Sequence, residues 1–158
     1  MSQILRWKLG LVALATAFCL IAAPLLAEDK IDFVEKFRAG SLELGVATYG
    51  PKDRVGLLGL RDGSQENSFA FSPEEWQTFI DLVAKAASQS TGSNWSVVGD
   101  MTETNTRDVS RLIISAGPGI RFAVNSPKGP SLTFVIGDSD NSRLQQALSK
   151  VRAYLAAK

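Results

Sequence analysis

The chain of 158 residues has no histidine and one cysteine, Cys19. Without imidazole it cannot assemble a Ser-His-Asp or Cys-His nucleophilic site. It also lacks the usual soft ligand sets for zinc, copper and haem. A single thiol forms neither a disulfide framework nor a redox dithiol. No GxxxxGK[ST] loop and no strand-GxGxxG-helix pattern occurs. An excess of either charge is missing as well, with 17 Lys and Arg against 16 Asp and Glu. That balance gives no electrostatic reason to expect nucleic acid or an acidic membrane surface as a partner. No catalytic residue, cofactor or metal ion is therefore assigned.

Long apolar runs are scarce too, and the one present lies near the start. Arg6 and Lys8 precede the uncharged stretch Leu11 to Ala23. Pro24 then breaks it, and Ala27 offers a small residue ahead of Glu28, Asp29 and Lys30. This is the three-part layout of a secretory signal peptide. The run is shorter than the ~20 residues of a spanning helix. Residues 1–27 are expected to be cleaved, after Ala27 or after Ala23, leaving a periplasmic or secreted protein with no stable membrane span. Bulky Phe18 before Cys19 does not suit lipid attachment. Cleavage removes the only thiol and takes the net charge from +1 to −1. The remainder, residues 28–158, is about 130 residues, a fitting length for one domain with one core.

What is present is clearest at Phe69-Ala70-Phe71-Ser72-Pro73-Glu74-Glu75-Trp76. Ser72 suits a helix N-cap, and Pro73 follows at the first helical position, where no N–H is needed. Glu75 stands three residues after Ser72, the spacing of a capping box. Phe71 and Trp76 have the spacing of a hydrophobic staple. From there Trp76, Phe79, Ile80, Val83 and Ala87 form one apolar stripe, opposite Gln77, Asp81 and Lys85. A second stripe, Leu144, Ala147, Leu148, Val151 and Leu155, predicts a final helix capped by Asp138 or Asp140.

Residues 28–38 read either as a short helix, with Ile31, Val34 and Phe37 every third residue, or as a loosely held arm. From Ser41 the period is two, so 42–49 and 55–60 predict a hairpin across Gly50-Pro51-Lys52-Asp53. Residues 61–67 read as a polar loop and 68–71 as a short strand. Residues 88–94 form a polar linker within the domain. Trp95 to Gly99 resumes strand character, and 101–108 reads as a loop. Residues 109–116, 120–125 and 132–136 predict a three-stranded antiparallel meander. The expected class is α+β: an antiparallel sheet of about six to seven strands with two amphipathic helices packed on one face. Strands followed by a helix occur twice in this order, which suggests an internal repeat.

Asp138-Ser139-Asp140-Asn141-Ser142 alternates oxygen ligands, but Arg143 and Ser149 stand where a calcium loop needs glycine and glutamate. Carboxylates remain as reagents. A carboxylate-dependent hydrolase acting on an envelope polymer is the alternative activity, and it needs two of them facing across a cleft. Binding without catalysis is the main expectation. Tyr49, Arg54, Arg61, Arg111 and Arg121 are the candidate ligand or partner surface. Outward strand arginines also discourage edge-to-edge aggregation. Trp76 and Trp95 read as core.

The order of strands, then Phe69-x-Phe71-Ser72-Pro73-Glu74-Glu75-Trp76, then helix, resembles the Whirly and Pur-like group of single-stranded nucleic-acid binders over about residues 37–87. The resemblance implies curved antiparallel strands leading into a helix, a unit sometimes duplicated. The strands here lack a lysine-rich face interleaved with aromatics, so the resemblance bears on topology and not on ligand. The expected protein is a small exported accessory domain of the bacterial envelope, whose partner is an envelope protein or small ligand.

Overall fold

In the computed structural model, residues 30–50, 54–90, 92–102, 110–127 and 131–157 are described. The segment expected to be a signal peptide, residues 51–53 and most of the 101–108 stretch lie outside them. Among the described residues, eight strands and two helices follow one another as β1 (Ile31–Ala39), β2 (Leu42–Tyr49), β3 (Val55–Asp62), β4 (Gln65–Phe71), α1 (Pro73–Ser88), β5 (Ser96–Thr102), β6 (Arg111–Gly117), β7 (Gly119–Asn125), β8 (Leu132–Ile136) and α2 (Asp138–Ala156). The strands form two separate antiparallel four-stranded sheets, β1-β2-β3-β4 and β5-β6-β7-β8. The class is α+β, but the single sheet of six to seven strands is corrected to two sheets and eight strands. Four strands and then a helix occur twice in the chain order.

One strand, β1, is new and another, β4, is longer than expected, and both come from stretches with mixed signals. Residues 31–39 are neither helix nor arm but β1, paired along β2 from Ile31↔Tyr49 to Ala39↔Leu42. The bulge between Phe33 and Glu35 shifts the alternation, so Val34 and Phe37 both pack on the main core while Ile31 joins a smaller cluster on the opposite face. The polar loop at 61–67 shrinks to a two-residue turn at Gly63-Ser64. Gly63 takes φ +57°, which lets β3 and β4 pair from Asp62↔Gln65 onward. Gly40 turns β1 into β2 in the same way at φ +63°. The meander gains β5 as a fourth strand through the pairing of Ser96–Thr102 with β6.

Helix α1 starts as its residues dictate. The Glu75 amide donates to Ser72 Oγ at 3.3 Å, and the Ser72 amide donates back to Glu75 Oε2 at 2.8 Å. Such a cap contributes about 1 kcal/mol. Helix α2 begins without a side-chain cap. Its N-cap is Gly137, so the expected cap by Asp138 or Asp140 is corrected, and both acids lie in the first turn. There they favour the positive end of the helix dipole.

Each helix packs mainly on the sheet of the opposite half. Helix α1 rests on β5, β6 and β7, whereas α2 rests on β1, β2 and β3, and the helices also touch each other. One continuous core results, containing residues of both sheets and both helices. An aromatic chain runs through it, from Phe69 to Phe71, Trp76, Phe79 and Phe122, with neighbouring centroids 5.3 to 6.1 Å apart. Trp76 is fully buried, and its indole N–H donates to the Leu148 carbonyl of α2 at 3.2 Å.

The two sheets also agree in register. In the first, Phe33 pairs with Ala47, the strand bulges, and Glu35 pairs with Val46. In the second, Val97 pairs with Ser115, the strand bulges, and Gly99 pairs with Ile114. The bulge therefore falls at one place in both edge strands. Superposing the pairings makes Ala47 equivalent to Ser115, Leu57 to Arg121 and Phe71 to Ile136.

Candidate functional face

Both sheets turn one face to the shared core, leaving two outer faces. Side chains alternate across a strand, so outer-face neighbours follow from the register. On the first sheet one outer row runs Phe33, Ala47, Leu57, Ala70. With Ile31, Tyr49 and Val55 it forms a small apolar cluster. The next rows are Lys36, Gly45, Gly59, Ser68 and then Arg38, Glu43, Arg61, Glu66. Glu43 receives Arg38 at 2.8 Å and Lys36 at 3.5 Å. Burial pushes the Glu66 carboxyl above its ordinary value, while the Arg61 charge acts in the other direction.

The five candidate surface residues do not converge. Tyr49 closes β2 within the apolar cluster. Arg54 reaches the far end of α2, donating to the carbonyls of Tyr154 and Ala157 and lying 5.0 Å from the Tyr154 ring centroid. A cation there complements the negative end of the helix. The Tyr154 hydroxyl in turn donates to the Gly50 carbonyl, so these groups fasten α2 to the β2–β3 connection. Arg61 Nε donates to Gly63 at 2.7 Å and braces the turn. Arg111 pairs with Asp100 of β5 at 2.8 Å, an ion pair that holds the Asp100 carboxyl below its ordinary range. These contacts give Arg54, Arg61 and Arg111 structural work.

Arg121 differs. It stands on β7 between Ser115 of β6 and Val135 of β8, on the outer face of the second sheet. Its guanidinium carries five N–H donors. Nη2 donates to Ser115 Oγ at 3.3 Å, and Nε is closed off without a hydrogen-bond partner. None of the ion pairs among the described residues includes Arg121. Trp95 covers it, with the guanidinium carbon 4.7 Å from the ring centroid. The indole is seated on bare backbone. A methyl group added at Gly117 would come within 2.6 Å of Trp95 Cε3. Trp95 is thus not core but half-buried on the outer face. On either side of Ser115 and Arg121 the row ends in exposed valines, Val97 at 64% and Val135 at 41%. These two are the exposed large hydrophobic side chains of the described residues.

The composite is therefore a cross-strand row, Val97-Ser115-Arg121-Val135, with Trp95 standing over the cation. Sequence reasoning found Arg121 and missed its neighbours. Val135 had a visible signal, since it is apolar at an outward position between buried Phe134 and Ile136. Trp95 and Ser115 had none, because the cross-strand register that brings them to Arg121 is not written locally. Comparison of the chain with protein-family models and with curated proteins returns no match.

Proposed function

We propose that this protein is an exported accessory domain of the bacterial envelope, acting in the periplasm by binding and without catalysis, through the outer face of its second sheet. The observation that carries this reading is Arg121: a cation with no anionic partner, stacked under Trp95 and flanked by two exposed valines. Tryptophan and arginine at the centre of a patch, with apolar neighbours, is the anatomy of a protein-binding hot spot. Several carboxylates are engaged elsewhere. Glu43, Asp100, Glu35 and Asp140 each pair with a cation. Export rests on the layout of residues 1–27. No helix of the described residues is long and apolar enough to cross a membrane.

Two measurements test the reading. Mass analysis of the periplasmic form should show a chain beginning after Ala27 or Ala23; an intact start in the cytosol refutes export. A photo-crosslinking residue at Val97 should capture one defined partner in living cells, and one at exposed Gln146 of α2 should not. Equal or absent crosslinking at both positions refutes the assignment of this face.

A further inference from the structure

We infer that the Arg121 face recognises an acidic side chain flanked by apolar residues on an extended segment of a partner protein. This inference rests on the reading of the second sheet's outer face as a binding surface, and adds the chemistry of what binds there.

Charge comes first. Arg121 is half-buried by Trp95, its Nε is unpartnered and its one protein acceptor is a neutral hydroxyl. A guanidinium in such surroundings gains more from an anion than one free in water, because the ring excludes solvent from one side of it. A single cation selects a single carboxylate. It does not track a row of phosphates, which needs repeated Lys and Arg along a groove.

Shape comes next. The row lies on a sheet face between two exposed valines, and small molecules favour clefts. A polypeptide suits an open sheet face better. Apolar groups stand on both sides of the cation, Val97 at one end of the row and Val135 at the other. A chain terminus would bring apolar matter to one side only, so an internal Asp or Glu is the better match. Val97 and Val135 are three strands apart, about 14 to 15 Å at the usual strand spacing. Residues i and i+4 of an extended chain span about 14 Å and face the same way. An apolar-x-Glu-x-apolar segment lying across the strands therefore meets both valines while its carboxylate lies over Arg121.

The rest of the face agrees with this direction. Edge strand β5 is a poor template for strand addition, since it is bulged between Val97 and Gly99 and carries Asp100 paired to Arg111. Binding across the strands avoids that edge.

The probe is a capped peptide, Ser-Val-Ser-Glu-Ser-Val-Ser, with its Glu-to-Gln counterpart as control. Titration into the 15N-labelled mature protein is followed at the Arg121 Nε–H and Trp95 indole N–H signals. The Glu peptide should shift both signals saturably, and the Gln peptide should bind at least tenfold more weakly. R121Q should abolish the difference between peptides, and R121K should recover only part of it, because lysine keeps the charge and loses the planar fork. Equal binding of the two peptides refutes carboxylate recognition. If crosslinking at Val97 succeeds in that case, the face still binds, and only the chemistry assigned to it is wrong. Inorganic phosphate shifting both signals as strongly as the Glu peptide also overturns the proposal, as does no shift with either peptide.

Discussion

Gly56→Ala is the sharpest test of how the two halves are joined. A methyl group at Gly56 would lie 2.7 and 2.9 Å from Trp76 Cδ2 and Cζ3, and closer still to Cε3. Carbon atoms in contact need about 3.5 to 4.0 Å, so the indole must retreat by about 1 Å. It has little room to do so. Trp76 is fully buried, Phe79 and Phe71 lie 5.3 and 6.0 Å from it by centroid, and its N–H is tied to the Leu148 carbonyl at 3.2 Å. Overpacking of this kind costs about 1–3 kcal/mol, and loosening the indole hydrogen bond adds about 1 kcal/mol. The expected destabilisation is about 2–4 kcal/mol, a fall in Tm of roughly 8–16 °C for a domain of this size. Urea unfolding followed by circular dichroism measures it. Gly40→Ala is the control, with nothing within 4 Å of its Cβ but φ at +63°, and should cost only the backbone strain of about 1–2 kcal/mol. Combining G56A with W76F isolates the clash. The two should couple by about 1–2 kcal/mol, because phenylalanine withdraws the outer ring atoms that the methyl meets. G56A within 0.5 kcal/mol of the parent, or an equal cost in both backgrounds, would refute this account of the packing.

Ser72→Ala should lower stability by about 1 kcal/mol, since the cap and its return bond from Glu75 are both made; denaturant midpoints measure this. Glu35 and Glu66 should respond to acid in opposite senses. The Arg143 hydrogen bond lowers the Glu35 pKa, so its stabilisation is present above the unfolded glutamate value and fades as pH falls through the folded one. E35Q should therefore lower Tm at pH 7 and leave it unchanged near pH 3. Burial raises the Glu66 pKa, so its contribution is present at low pH and is lost as pH rises through the folded value. E66Q should raise Tm at pH 7 and have no effect in acid. Residues 28–90 and 91–158 made as separate chains should each lack a cooperative thermal transition and regain one on mixing, because each helix covers the other half's sheet.

How much of this was legible in the sequence depended on whether a feature was local. The α1 cap is spelled out within four residues, and the structure forms it with both expected hydrogen bonds. The apolar stripes are nearly as direct. Trp76, Phe79 and Val83 are buried as their spacing predicts, although Ala86 and not Ala87 is the fully buried position at the helix end. Strand β1 was illegible because its bulge breaks the period of two, and a bulge is a property of pairing. The first turn of α2 misled because Asp138 and Asp140 look like caps, yet the chain leaves β8 one residue earlier through Gly137. The candidate face failed at the same boundary. Each of its residues is ordinary alone, and only the alignment of four strands makes them neighbours.

That alignment also shows where two halves with one topology differ. Equivalent register puts Gly56 of the first sheet where the second has Ile120, and Trp76 of α1 where α2 has Asn141. The outer rows differ as well. Where the first sheet has the row Phe33-Ala47-Leu57-Ala70, the second has Val97-Ser115-Arg121-Val135. Arg121 stands in the place of an aliphatic centre, Leu57, and Ser115, which accepts its hydrogen bond, in the place of Ala47. Gly117 stands in the place of Tyr49 and leaves the floor on which Trp95 rests. Three differences at adjoining positions each serve the same guanidinium. Solubility alone would explain a charge at Arg121, but it would not call for a fitted indole above it and a hydroxyl beside it.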